Sequence, residues 1–252
     1  MSFFVALIFG AVQGITEFLP ISSSGHLAIL SHLFGIKEQA ILTAVLLHVA
    51  TLLSVCVVMR SEIFYLLKNP FSQKARKLYL ASLVTFAIVL VLKSTIEKSF
   101  ENLAWLPWCF LVTALILLLS DMLARKNTKP INYKRAVIIG AVQGVAALPG
   151  ISRSGSTISA ALLSGVDREE ATDFSFLLSL PIIAASALYE GLKLIKIPPQ
   201  NFAVMPNIFA FLVAFAVGIA SVRLMRRMVK KARMWWFALY LTLLAFALLL
   251  FL

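Results

Sequence analysis

Three ionisable side chains, Glu17, His26 and Arg153, lie inside segments of this chain that are otherwise apolar. Hydroxyl groups cluster beside them in two Ser-rich loops, at residues 22–24 and 152–157. The planar fork of arginine can bind a phosphate through two hydrogen bonds, and Ser-Gly turns at helix starts direct backbone N–H groups at the same anion. These residue types together predict a site for a phosphorylated ligand.

Glu17 needs a separate explanation, because a carboxylate in the same pocket repels phosphate. One explanation is a divalent cation, Mg²⁺ or Ca²⁺, that bridges Glu17 to phosphate oxygens. The other is a base that activates a nucleophile, and His26 adds a group that titrates near neutral pH. An acid, a base and a hydroxyl cluster together favour phosphoryl transfer over transport alone.

The predicted phosphate-binding residues are loop hydroxyls and two glycines: Ser22, Ser24, Gly25, Ser152, Ser154, Gly155 and Thr157. Ser22, Ser152 and Ser154 have an alternative role, which is to cap the helices that begin after the two Ser-rich loops. Arg153 is harder to explain by structure alone, because the loop that carries it lies far from either membrane interface. If the two loops meet, Arg153 can neutralise Glu17. His32 and His48 are interpreted as interior or interfacial histidines without a role in the chemistry.

Both loops belong to a tandem duplication. GAVQG occurs at Gly10–Gly14 and at Gly140–Gly144, and the Ser and Gly residues that follow stay in register at an offset of 130. This self-similarity predicts two repeats, residues 1–125 and 131–252, that form one membrane domain. The GxxxG spacing in each copy also favours close helix packing.

The composition indicates an all-α polytopic membrane protein, since 61% of the residues are hydrophobic and 13% are charged. The net charge is +12, but the Lys and Arg residues cluster between apolar runs, as charges that orient a membrane protein do. We therefore expect no nucleic-acid partner. Cys56 and Cys109 stand alone in apolar runs and are interpreted as packing residues. The N-terminus has no basic region, so we expect it to be retained in the fold.

Six stretches approach or reach the length and apolarity of a spanning helix: Ile41–Met59, Leu78–Leu92, Leu103–Ser120, Phe174–Leu194, Ile208–Leu224 and Trp235–Leu252. Two further stretches, residues 3–34 and 136–165, are interrupted by Pro, Gly and Ser at Pro20–Gly25 and Pro149–Gly155.

Basic residues are concentrated in the loops at 60–77, 121–135 and 223–233, which are predicted to be cytoplasmic. The six spans then alternate correctly only if both interrupted segments are re-entrant hairpins. This predicts an inverted-topology repeat in which each half has one re-entrant helical hairpin and three transmembrane helices. The alternative is that both segments are kinked spans, which gives eight crossings.

With these residues in view, the chain resembles the undecaprenyl-diphosphatase family of bacterial membrane enzymes, which affect bacitracin sensitivity. The resemblance covers essentially the whole chain. It is carried by four motifs, namely Gln13–Glu17, Pro20–His26, Pro149–Gly155 and the Phe-Ser-Phe-Leu-Leu stretch at Phe174–Leu178.

The resemblance implies hydrolysis of undecaprenyl diphosphate to the monophosphate carrier used in peptidoglycan synthesis, with a divalent metal. It assigns catalytic roles to Glu17, His26 and Arg153 and the nucleophile to Ser23, with His26 as an alternative nucleophile. Glu17 and Gln13 are the implied metal ligands, although some members of the family have Glu at the position of Gln13.

The resemblance also implies the bacterial cytoplasmic (inner) membrane, a polyprenyl diphosphate substrate and contact with membrane lipid, and a homodimer is compatible with it. A second class of function stays open at this point. Inverted repeats with broken helices are also the architecture of transporters, so a lipid-phosphate flippase is the alternative.

Overall fold

The computed structural model describes residues 1–36, 40–124, 129–196, 203–231 and 234–251. Within these ranges the chain is helical, and the only β-type pairing is one bridge between Lys129 and Val166. The helices are α1 (Phe3–Thr16), α2 (Ser23–Leu33), α3 (Ala40–Val58), α4 (Arg60–Lys68), α5 (Gln73–Glu101), α6 (Leu106–Leu123), α7 (Tyr133–Val145), α8 (Arg153–Leu163), α9 (Arg168–Lys196), α10 (Val204–Lys230) and α11 (Trp235–Phe251), with a 3-10 turn before α6 (Leu103–Trp105).

Four of these helices, α5, α6 with its preceding turn, α9 and α10, are long and apolar enough to cross a membrane. Helices α3 and α4 meet at a bend of 81° and make a fifth candidate if they are counted together. Helix α11 is a shorter apolar helix of 17 residues. The described helices therefore make this a multi-pass membrane protein, with fewer full-length spans than the six predicted.

The ends of the predicted spans differ from those of the helices. The stretch Leu78–Leu92 is the centre of α5, which has 29 residues. Lys, Arg and Glu lower hydropathy but are good helix formers, so the helix continues beyond the apolar window. The stretch Ile41–Met59 ends at the bend, beyond which α4 carries Arg60, Glu62 and Lys68.

Each interrupted segment forms two short helices. Helices α1 and α7 begin at Phe3 and Tyr133, and α2 and α8 begin at Ser23 and Arg153, so both pairs keep the offset of 130 seen in the sequence. The two ends of the second segment lie together, because Arg135 Nε donates to the carbonyl of Ser164 at 3.0 Å. This segment is therefore a helical hairpin, and α1 and α2 of the first segment likewise pack against each other as a hairpin.

Each hairpin packs against a helix of the other half of the chain. Helix α1 packs on α10 and α7 packs on α5, while α3 packs on α9 and α6 on α11. A Cβ added to Gly10 would lie 2.4 Å from the carbonyl oxygen of Ala210, and one added to Gly140 would lie 2.3 Å from that of Ala81. The close packing predicted for these glycines is thus confirmed, since no larger residue fits there.

The core is continuous around the hairpin tips. Phe18, Phe110 and Phe176 are fully buried there, and the rings of Phe18 and Phe176 meet edge to face with centroids 5.8 Å apart. Some predicted boundaries lie outside the described residues: the end of the first repeat at 125, part of the basic loops, and Leu252.

Candidate active site

The tips of the two hairpins touch. Glu17 follows the last residue of α1, Arg153 is the first residue of α8, and Arg153 Nη2 forms an ion pair with Glu17 Oε1. Beside this pair, Ser154 Oγ donates to the carbonyl of Leu19 at 3.2 Å, and a Cβ on Gly155 would lie 2.9 Å from Pro20 Cβ. The contact leaves the Glu17 side chain 2% exposed and the Arg153 side chain 20% exposed.

The second oxygen of Glu17 is shared by three side chains. Ser23 Oγ donates to Glu17 Oε2 at 2.5 Å, Gln13 Nε2 donates to it at 3.0 Å, and His48 Nε2 lies 3.6 Å away. A buried carboxylate is tolerated only when it is paired and hydrogen-bonded in this way. The arrangement places a serine hydroxyl directly on a carboxylate that can accept its proton.

The turn before α2 explains how Ser23 reaches Glu17. Ser22 has φ 67° and ψ 96°, and it is the only non-glycine residue with positive φ in the described part of the chain. Such a conformation costs an L residue about 1–3 kcal/mol and persists only where the surroundings hold it. Its side chain makes no capping hydrogen bond to the described residues of α2, unlike the serine at the start of α8 described below.

The second loop is capped, unlike the first. Ser152 Oγ accepts from the N–H of Gly155 at 3.1 Å, which fits the capping role considered for this serine. Thr157 is buried, and its hydroxyl donates to the carbonyl of Arg153 and bonds Ser175 Oγ at 2.5 Å. In this structure, therefore, the hydroxyls of Ser152 and Thr157 hold α8 in place rather than face an open site.

A small cavity lies against the ion pair. Its lining consists of Glu17, Phe18, Arg153, Ser154, Ser175, Phe176 and Ser179, and its volume of about 10 Å³ holds roughly one water molecule. It must widen to admit a phosphoryl group. Ser175 and Ser179 were not among the predicted site residues; the signal for Ser175 was its position in the Phe174–Leu178 motif. On the first loop, the hydroxyls of Ser22 and Ser24 lie 3.3 Å apart.

The structure separates His26 from the Glu17 cluster. His26 Nδ1 bonds the carbonyl of Ser22 at 2.8 Å, and Nε2 bonds Tyr240 OH at 2.7 Å. His48, which we interpreted as an interior or interfacial residue, is instead the histidine beside Glu17. Its Nδ1 bonds the carbonyl of Ala44 at 2.7 Å, which turns Nε2 towards the carboxylate.

Few of the described side chains could serve as ligands for the metal that the resemblance implies. Among the described residues, no group of three or more His, Cys, Asp and Glu side chains could hold an ion. Both oxygens of Glu17 already accept from protein donors, so a cation would have to displace one of these contacts, whereas Gln13 Oε1 is buried without a described partner. Mg²⁺ and Ca²⁺ prefer oxygen ligands, and Mg²⁺ is commonly held by one or two carboxylates plus substrate phosphates and water. The residues present fit a cation that shares its ligands with a diphosphate.

Comparison with known proteins identifies the family of this chain. The family model described as "Bacitracin resistance protein BacA" matches residues 6–247. An undecaprenyl-diphosphatase of Carboxydothermus hydrogenoformans is 39% identical over 245 residues, which cover 95% of this chain and 94% of that protein. One of Treponema denticola is 40% identical over 256 residues, covering 96% and 94%. This chain therefore belongs to the BacA family.

Proposed function

We propose that this protein hydrolyses undecaprenyl diphosphate to undecaprenyl phosphate and inorganic phosphate. The relatives that carry this activity in their names match the chain over almost its full length. The observation that carries the proposal is the contact of Ser23 Oγ with one oxygen of Glu17 while Arg153 holds the other oxygen. Such hydrolysis returns a lipid carrier for peptidoglycan synthesis, which is consistent with the family's link to bacitracin resistance.

The geometry supports attack by Ser23. Its Oγ forms a bond to the terminal phosphorus, its proton passes to Glu17 Oε2, and the bond to the bridging oxygen breaks to release undecaprenyl phosphate. Water then attacks the phosphoserine, and Ser23 recovers its proton as inorganic phosphate leaves. Arg153 and the N–H groups at the start of α2 bind the phosphoryl oxygens as charge develops. The loop hydroxyls of Ser22, Ser24 and Ser154 are proposed as further donors.

A divalent cation, Mg²⁺ or Ca²⁺, is part of the proposal, with Glu17 and Gln13 as its protein ligands. When bound, it would neutralise charge on the diphosphate. The unpartnered Gln13 Oε1 supports this assignment. Phosphate release measured against metal concentration tests it, because Gln13→Leu should raise the metal concentration needed for half-maximal rate. An unchanged metal titration in that variant would remove Gln13 from the ligand set.

The packing supports an inverted repeat of residues 1–125 and 131–252, each with one re-entrant hairpin and three spans. Gly10 and Gly14 approach Ala210 and Ala214 in the same order along the two helices, so α1 runs parallel to α10. The corresponding glycines of α7 follow α5 in the same way. We place this domain in the bacterial cytoplasmic membrane. A homodimer remains a prediction, and light scattering of the purified protein in detergent tests it.

Purified protein in detergent provides the test of function. With undecaprenyl diphosphate as substrate, it should release inorganic phosphate, and Ser23→Ala should not. A lipid flippase needs two membrane faces and breaks no bond. Lipid movement in vesicles without phosphate release in detergent would therefore reject the hydrolase.

A further inference from the structure

Both ring nitrogens of His26 are engaged away from the proposed reaction centre. A carbonyl oxygen only accepts hydrogen bonds, so the proton of the neutral ring lies on Nδ1, which donates to Ser22 at 2.8 Å. Nε2 then accepts from Tyr240 OH at 2.7 Å. The two rings are also stacked, with centroids 5.7 Å apart and planes 12° apart. This leaves His26 no nitrogen directed at Ser23 or Glu17.

The carbonyl that His26 holds belongs to a residue in an unfavourable conformation. Ser22, at φ 67°, immediately precedes Ser23, and its carbonyl also accepts the N–H of His26 at 3.3 Å. The hydrogen bond from the ring is the shorter of the two. It fixes the orientation of the peptide that joins Ser22 to Ser23, and that orientation decides whether Ser23 Oγ reaches Glu17.

We propose that Tyr240 and His26 form a clamp that holds the Ser22 turn and thereby positions the nucleophile. Tyr240 lies on α11, in the second half of the chain, so the clamp connects the last helix to the tip of the first hairpin. Tyr240 orients the imidazole, and the imidazole holds the Ser22 carbonyl. His26 acts as a positioning residue and transfers no proton. This inference rests on the proposed function, since it assumes that Ser23 is the nucleophile.

Two substitutions at position 26 separate a clamp from a proton-transfer group. In His26→Asn, the side-chain amide places an N–H close to the position of Nδ1 but cannot titrate. In His26→Ala, no donor remains. We expect kcat to stay within about fivefold of wild type in His26→Asn and to fall about 100-fold in His26→Ala, the effect of misplacing a reacting group by roughly 1 Å. KM should be unchanged in both, because substrate binding is not altered.

Tyr240→Phe keeps the stacked ring and removes the hydroxyl. We expect kcat to fall about fivefold, the loss of one ordinary hydrogen bond. The same substitution in the His26→Asn background should cause no further loss, since Asn has no group at the position of Nε2. Tyr79→Phe on α5 is the matched control, because Tyr79 is exposed and lies outside the site.

The measurements are phosphate release and thermal unfolding of each purified protein in detergent. If wild type releases no phosphate, the proposed function fails. If wild type is active but His26→Asn loses as much kcat as His26→Ala, with both folded, the clamp is overturned and His26 takes part in proton transfer. Parallel losses of melting temperature and kcat across the variants would also overturn it, because they indicate a role in folding only.

Discussion

Replacing Glu17 by Gln tests the centre of the proposed site with the least change in shape. Glu17 accepts from Ser23 and Gln13 on one oxygen and from Arg153 on the other. A glutamine amide has one accepting oxygen and one donating nitrogen. At least one of these donors must therefore face an N–H group, and Ser23 loses the base that would take its proton.

The expected effect on rate follows from the loss of that base. General-base catalysis contributes about 10²–10⁴ in rate, which corresponds to roughly 3–5 kcal/mol in the activation barrier. The effect on stability should be smaller. The side chains of Arg153 and His48 are 20% and 27% exposed, so water can replace part of what they lose. One buried donor left without an acceptor should lower the free energy of unfolding by about 1–3 kcal/mol.

The assay is phosphate release from undecaprenyl diphosphate in detergent, with thermal unfolding measured on the same samples. Glu97→Gln, at an exposed position of α5, is the matched control and should behave as wild type. A folded Glu17→Gln protein with a rate within tenfold of wild type would refute the assignment of Glu17 as base.

Arg153→Lys should slow phosphate release by about 2–4 kcal/mol in barrier, because an ammonium cannot replace the bidentate fork; near-normal turnover would contradict this. Gly140→Ala should lower the melting temperature, because its Cβ would lie 2.3 Å from a backbone oxygen of α5. Gly191→Ala is the control and should leave the melting temperature unchanged, because there is open space around Gly191. Equal effects of the two substitutions would argue against close packing of α7 on α5. Single cysteines at Gln73 and Lys98, in a background without native cysteines, should be labelled from opposite faces of intact cells, and labelling of both from one face would exclude the proposed topology.

The duplicated segments were predicted well because their signals are local. Pro, Ser and Gly interrupt both helical patterns in corresponding segments, and the structure begins the second helix of each hairpin at Ser23 and Arg153. The pairing of Glu17 with Arg153 followed from electrostatics, since neither charge is tolerated alone at membrane depth. The structure brings these two side chains together, as the sequence indicated.

The placement of the histidines was not accessible in the same way. His26 belongs to the Ser-rich loop and His48 to an ordinary apolar helix, so sequence position favoured a role in the chemistry for His26 and none for His48. The structure reverses their positions, because α3 packs against α1 and brings His48 to the carboxylate. The contact between His26 and Tyr240 joins residues 214 positions apart, and no local pattern could indicate it.

The polar helix α4 was missed for a different reason. Hydropathy windows register where apolar residues stop but not the direction in which the chain continues. The residues after Val58 form α4, which is polar and inclined at 81° to α3. The polar residues after Met59 were therefore assigned to a loop at 60–77, although nine of them form α4.

Rapid quenching of the enzyme during turnover tests the central claim most directly. The substrate is undecaprenyl diphosphate labelled in its terminal phosphate, and the quenched protein is digested and its peptides are mapped. We predict labelled phosphate on Ser23 in wild type and none in Ser23→Ala, which should also be inactive. Label on His26, or a Ser23→Ala protein that still releases phosphate, would contradict nucleophilic attack by Ser23.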